Sequence, residues 1–130
     1  MSLTIACATD DGVNFINRHF GDADYYYIYN LTPEGATFIK KVENTTGEEE
    51  GHADPEKARS IVKILKENEN VQVGVSRKFG PNIKRVKKHF VPVLVQASEI
   101  EEGLKELQSN YDYIMDLWQK GEGREHLVLK

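Results

Sequence analysis

Apolar residues fall in short blocks along this chain, and the period inside each block predicts an element. Leu3–Thr9 is short and apolar, and Asp10-Asp11-Gly12 closes it, which predicts a buried strand. A polar loop runs to Asp24. Tyr25–Leu31 is aromatic and β-branched, the composition of a second strand. Thr32-Pro-Glu-Gly35 carries Pro and Gly where a tight turn wants them, so Thr37–Glu43 is expected to fold back as a hairpin. Ala58, Ile61, Val62 and Leu65 recur at helical spacing and predict an amphipathic helix over 55–69, with Asp54 as N-cap and Pro55 at its first position. Val71–Val75 alternates like a strand. Phe79-Gly-Pro-Asn82 then turns the chain into a helix with an apolar stripe of Ile83, Val86 and Phe90. Val91–Gln96 reads as a strand with Pro92 tolerated near its start, and Glu99–Gln108 as a helix with Ile100, Leu104 and Leu107 inward.

The order β-β-β-α-β-α-β-α predicts one α/β domain with a mixed five-stranded sheet, strand one central, the hairpin at one side, and helices over both faces. Residues 1–110 hold that domain, and 111–130 form a C-terminal extension. Tyr111, Ile114, Met115 and Trp118 suit one more helix, Gly121 and Gly123 break it, and His126–Lys130 can end as a short strand. That much apolar surface is expected to pack on the same domain or on a second copy, where it would aid a homodimer.

The chain has 130 residues, 39% of them apolar and 29% charged, the profile of an ordinary globular domain. A lone cysteine, Cys7, excludes an internal disulfide and a Cys-rich metal site, and a reducing cytoplasm is the expected setting. The N-terminus lacks the basic leader of a signal peptide, and no apolar run approaches the ~20 residues needed to span a bilayer. Net charge is −4, which gives no general reason to expect nucleic acid. The charge is unevenly placed. Between Asn70 and Ser98 there is no acid, while Arg77, Lys78, Lys84, Arg85, Lys87 and Lys88 contribute +6. Such asymmetry fits either an anionic partner or a solvated basic helix face.

Among candidate chemical groups, His19 stands out, in Arg18-His-Phe-Gly-Asp22 on the loop after strand one. Loops at the C-terminal ends of parallel strands collect ligands in α/β folds. A neutral imidazole binds iron, zinc or copper, and Gly21 lets backbone approach a bulky ligand. The plainer alternative is a histidine that hydrogen-bonds within its turn while Phe20 plugs the core. Arg77, Lys78, Gly80 and Asn82 surround a strand-to-helix turn whose N–H groups would favour an anion. His52 lies in a long acidic loop after Glu48-Glu-Glu50 and is either a ligand or solvated. Cys7, in mid-strand, reads as a small hydrophobe. His89 and His126 read as surface. Asp10 and Asp11 end strand one, where a nuclease would keep a metal-binding carboxylate. However, the segment Val71–Phe79 contributes no acid to complete a two-metal site.

Taken together, Ile5-Ala-Cys-Ala-Thr-Asp10, Arg18-His-Phe-Gly21, the aromatic strand Tyr25–Leu31 and Phe79-Gly-Pro-Asn82 resemble the dinitrogenase iron–molybdenum cofactor biosynthesis family, of the NifX/NafY type, over roughly residues 3 to 108. The resemblance implies a ribonuclease H-like fold and a non-enzymatic binding or carrier protein for iron–molybdenum cofactor or its iron–sulfur precursor. It further implies His19 as a protein ligand, and cofactor-assembly or acceptor proteins as partners. Ser76-Arg-Lys-Phe-Gly-Pro81 places two cations where the family commonly has glycines, and any second ligand falls to His52 or a carboxylate. The alternative is an interaction module whose basic segment 77–88 docks an acidic protein.

Overall fold

The computed structural model describes residues 1–45 and 55–129. The expected N-cap Asp54 and the candidate ligand His52 lie outside the described residues. Among these residues six strands and four α-helices follow in order: β1 Leu3–Thr9, β2 Tyr25–Thr32, β3 Gly35–Glu43, α1 Pro55–Val62, β4 Val73–Ser76, α2 Ile83–Val86, β5 Val91–Leu94, α3 Ile100–Ser109, α4 Tyr111–Gln119 and β6 Leu127–Val128. The strands form one sheet in the order β3-β2-β1-β4-β5-β6. The first three are antiparallel neighbours, and β4, β5 and β6 run parallel to β1.

The sheet has six strands, where the sequence predicted five. The extra one comes from the tail. Leu127 and Val128 pair with Val93 and Leu94, and the Leu129 N–H donates to the Leu94 carbonyl at 2.8 Å. The buried Arg124 guanidinium fixes this return by donating to the carbonyls of Leu117, Trp118 and Lys87 at 3.1, 3.0 and 2.8 Å. Two of these carbonyls lie in the last turn of α4, where they also accept from the Lys120 N–H.

Alternation along β1 splits the core into two layers. Leu3, Ile5 and Cys7 join Val73, Val75, Val91 and Val93 on the face that α3 and α4 cover with Ile100, Leu107, Tyr111 and Ile114. Ala6 and Ala8 face the opposite side, with Tyr26, Ile28, Ile61, Leu65 and Phe90. The three-layer arrangement is ribonuclease H-like, with β1 buried on both faces near the middle of the sheet. No helix among the described residues is long and apolar enough to cross a membrane.

Two helices differ from the sequence-based boundaries. The helix over 55–69 is α-helical to Val62 and then widens into a π-turn over Lys63–Glu67, where the Asn68 N–H donates to the Lys63 carbonyl at 3.2 Å. The helix after Asn82 lasts only Ile83–Val86, because the chain tightens through turns to bring Phe90 into the core.

Ile114 of the extension is fully buried in the same cluster as β1 and β5. Ile114→Ala is therefore expected to lower the unfolding free energy by ~2–5 kcal/mol, read as a shift in urea midpoint at unchanged slope. A loss below ~0.5 kcal/mol would mean that the extension is not part of the cooperative core.

Candidate functional site

The loops leaving β1 and β4 meet at the C-terminal end of the parallel strands. The Phe20 N–H donates to the Lys78 carbonyl at 2.8 Å, and His19 pairs with Lys78 as an isolated parallel bridge. The chain therefore places His19 and Lys78 side by side, half-buried and exposed respectively. Gly80 lies against the imidazole. A Cβ at Gly80 would sit 2.5 Å from His19 Nδ1, and its φ of +72° is one that side-chain-bearing residues rarely adopt.

The turn that carries His19 is held from several sides. Arg18 clamps the Asp10 carboxylate through both terminal nitrogens, at 2.8 and 3.0 Å, and reaches the Asp22 carbonyl at 2.9 Å. The Asp24 N–H donates to the same Asp10 carboxylate at 2.9 Å. Asn44, at the exit of β3, donates to the carbonyls of Gly21 and Ala23 at 2.9 and 2.7 Å. The Tyr26 hydroxyl donates to the Phe20 carbonyl at 2.8 Å. From α1, the 5% exposed Lys57 side chain reaches Asp22 Oδ1 at 3.4 Å, an ion pair whose alignment is too poor for a hydrogen bond. Phe20 anchors the turn in the core, stacked on Phe79 at 4.7 Å and tilted against Tyr26 and Phe90.

Neighbouring charges are set by the same contacts. The Arg18 hydrogen bond holds the Asp10 carboxyl below its ordinary value, against some desolvation. Asp11 is pulled down to about 2 because its carboxylate accepts from the N–H groups of Asn14 and Val13. The two carboxylates that end β1 are thus committed to the loop. Burial pushes the Cys7 thiol up, so it stays protonated and is no thiolate ligand at neutral pH.

Of the other site residues singled out in the sequence, Gly21 and Asn82 line one small cavity of about 20 Å³ with Phe20, Lys57 and Phe79. Arg77 shares the loop of Lys78 and is half-buried. The expected anion-binding N–H groups are otherwise engaged. Those of Ile83, Lys84 and Arg85 donate to the carbonyls of Gly80, Pro81 and Asn82, so the positive character of this corner comes from side chains. His52 lies outside the described residues. His89 is exposed. The sequence reading missed Asn44 and Lys57. Lys57 was legible, since it stands four residues before Ile61 and eight before Leu65 on the inward face of α1.

Among the described residues, no group of three or more His, Cys, Asp or Glu side chains converges on a metal-sized site. The family model described as dinitrogenase iron-molybdenum cofactor matches residues 1–110 of the chain. No curated protein matches it.

Gly80→Ala should cost ~1–3 kcal/mol from left-handed strain and displace the imidazole, seen as a change in the His19 ring resonances. Unmoved resonances would show that the ring does not rest on Gly80. Depressed carboxylates stabilise the loop above their unfolded value of ~4 and release it as pH falls through the folded value. The Val13 and Asn14 amide resonances should therefore titrate with a midpoint at about 2, following Asp11. A midpoint at ~4 would contradict the hydrogen bonds described.

Proposed function

We infer a metal-cluster carrier role in general, because the chain belongs to the dinitrogenase iron–molybdenum cofactor family. We propose that this protein binds and hands on the iron–molybdenum cofactor, its iron–sulfur precursor or a related anionic cluster, with His19 as the protein ligand. The observation that carries the reading is the His19 imidazole, set against Gly80 on a turn held rigidly by Arg18, Asn44 and Phe20.

A preassembled cluster brings its own sulfides, so it needs few protein donors, and one imidazole nitrogen suits iron. A single ligand on a half-buried rim also suits cargo that must leave again, unlike a closed four-cysteine cage. Lys78 beside His19, with Arg77 on the same loop, supplies positive charge for an anionic cargo. Gly80 leaves the imidazole without a neighbouring side chain at that contact, and Gly21 and Asn82 are proposed as further contacts of the cargo. His52 is the proposed second ligand. The protein acts without catalysis, in a reducing cytoplasm that preserves such clusters, and its partners are cofactor-assembly or acceptor proteins.

His19→Ala is expected to weaken retention of an iron–sulfur or iron–molybdenum cluster by at least ~10-fold, or ~1.4 kcal/mol. The measurement is iron per chain after anaerobic gel filtration, with the melting temperature as the folding control. Equal iron retention, or an unfolded variant, would make His19 a structural residue and sink the reading.

A further inference from the structure

A groove of about 480 Å³ runs between α1 and the 83–89 segment and shares Ala58 with the small cavity lined by Gly21. Its floor is apolar, made by Ala58 and Val62. Its rim is basic, with Arg59 on α1 and Lys63 just after it facing Arg85 and His89, and among the described residues Glu67 is the one acid lining it. Arg59 also pairs with Glu56 at 2.6 Å, but both side chains are more than two-thirds exposed, and such a pair exchanges partners at little cost. The 70–98 segment that builds one wall contains no acid to neutralise the rim.

We infer that this groove docks an acidic amphipathic helix of a partner protein, whose aliphatic face lies on Ala58 and Val62 and whose carboxylates meet Lys63, Arg85 and Arg59. The shape favours a peptide over a small anion. Small-molecule sites enclose their ligand and orient it with buried polar groups. Here the four basic side chains are exposed and the groove is open to solvent. An apolar strip between two rows of charge is instead the form that accepts an amphipathic helix through i, i+3, i+4 anchors. The docking surface thus differs from the basic 77–88 segment as a whole. Of that segment only Arg85 lines the groove, and the other two cations, Arg59 and Lys63, come from the helical segment 55–67.

The groove also bears on the candidate site. Ala58 lines both it and the small cavity at Gly21, and the preceding residue, Lys57, pairs with Asp22 of the His19 turn. A partner seated on α1 would lie on the helix that braces that turn. The inference does not depend on what His19 binds.

The test uses a fluorescent 16-residue helical peptide with Leu at i, i+3, i+4 and i+7 and Glu at most other positions. A scrambled peptide of the same composition, and free citrate, serve as controls. Binding is read by anisotropy at 50 and 300 mM salt, and the surface by amide shift perturbation on the full chain. The helical peptide is expected to bind at least ~10-fold tighter than its scramble, to lose affinity with salt, and to perturb Ala58, Val62 and His89. The double variant Lys63→Glu, Arg85→Glu, at two exposed positions, is expected to lose at least ~10-fold, and Val62→Asp likewise, while His19→Ala binds as the unaltered chain does. Equal binding of the scramble would reduce the groove to a general polyanion surface. Citrate saturating the same amides would make it a small-anion site. Perturbations elsewhere, or no binding at low salt, would also overturn the inference. Loss of peptide binding with intact cluster retention would leave the His19 reading standing, and the reverse would leave this one.

Discussion

Phe20 reaches the sheet because Gly74, in β4, has no side chain: a Cβ there would lie 2.7 Å from the Phe90 ring and 3.0 Å from that of Phe20. This absence opens the space in which Phe20, Tyr26, Phe79 and Phe90 assemble. Phe20 is the residue after His19 and Phe79 the residue after Lys78, so their stacking joins the two loops of the candidate site from beneath. The aromatic cluster belongs to the same hydrophobic layer as Ile61 and Leu65 of the α1 segment. The position of the imidazole is therefore a consequence of core packing, which gives it a precision that a free loop would lack.

Electrostatics completes what packing begins. The loop from Asp10 to Asp24 has little apolar substance of its own beyond Phe15, Ile16, Phe20 and Ala23. Polar bonds order the remainder, above all the bidentate Arg18–Asp10 contact and the Asp11 carboxylate that caps the N–H groups of Val13 and Asn14. Asp10 thus holds the Arg18 guanidinium and the Asp24 N–H, and Asp11 the start of the loop. These contacts fix the chain on both sides of His19.

The extension ties the opposite face of the sheet to the cationic side of the molecule. Arg124 caps α4 and bonds to Lys87, and its guanidinium also lies over Trp118, 4.9 Å from the ring, with Lys66 4.5 Å away. Burial and the Arg124 charge push the Lys66 ammonium below its ordinary value. The apolar face of α4 is spent on the sheet, and the tail then closes the edge of β5.

By itself the sequence determined the elements and their order, because burial on a pleated sheet and on helices leaves periods of two and of 3.6 that can be read directly. The short apolar run Leu3–Thr9 and the stripe Ala58–Ile61–Leu65 are local properties, and so is the hairpin turn at Pro33 and Gly35. It also marked His19, Gly21, Lys78, Gly80 and Asn82 as residues of interest, since glycines beside a histidine at a strand exit are visible without coordinates. What it left undecided depends on contacts far apart in the chain. The pairing of β6 with β5, the single turn of α2, the Asn44 brace, the pairing of the inward Lys57 with Asp22 and the α1–Arg85 groove each depend on residues that no local pattern connects. Whether the N–H groups after Gly80 were free was likewise a matter of how tightly the chain turned toward Phe90. Only the folded chain decides these, because non-local geometry is set by which apolar surfaces finally bury one another.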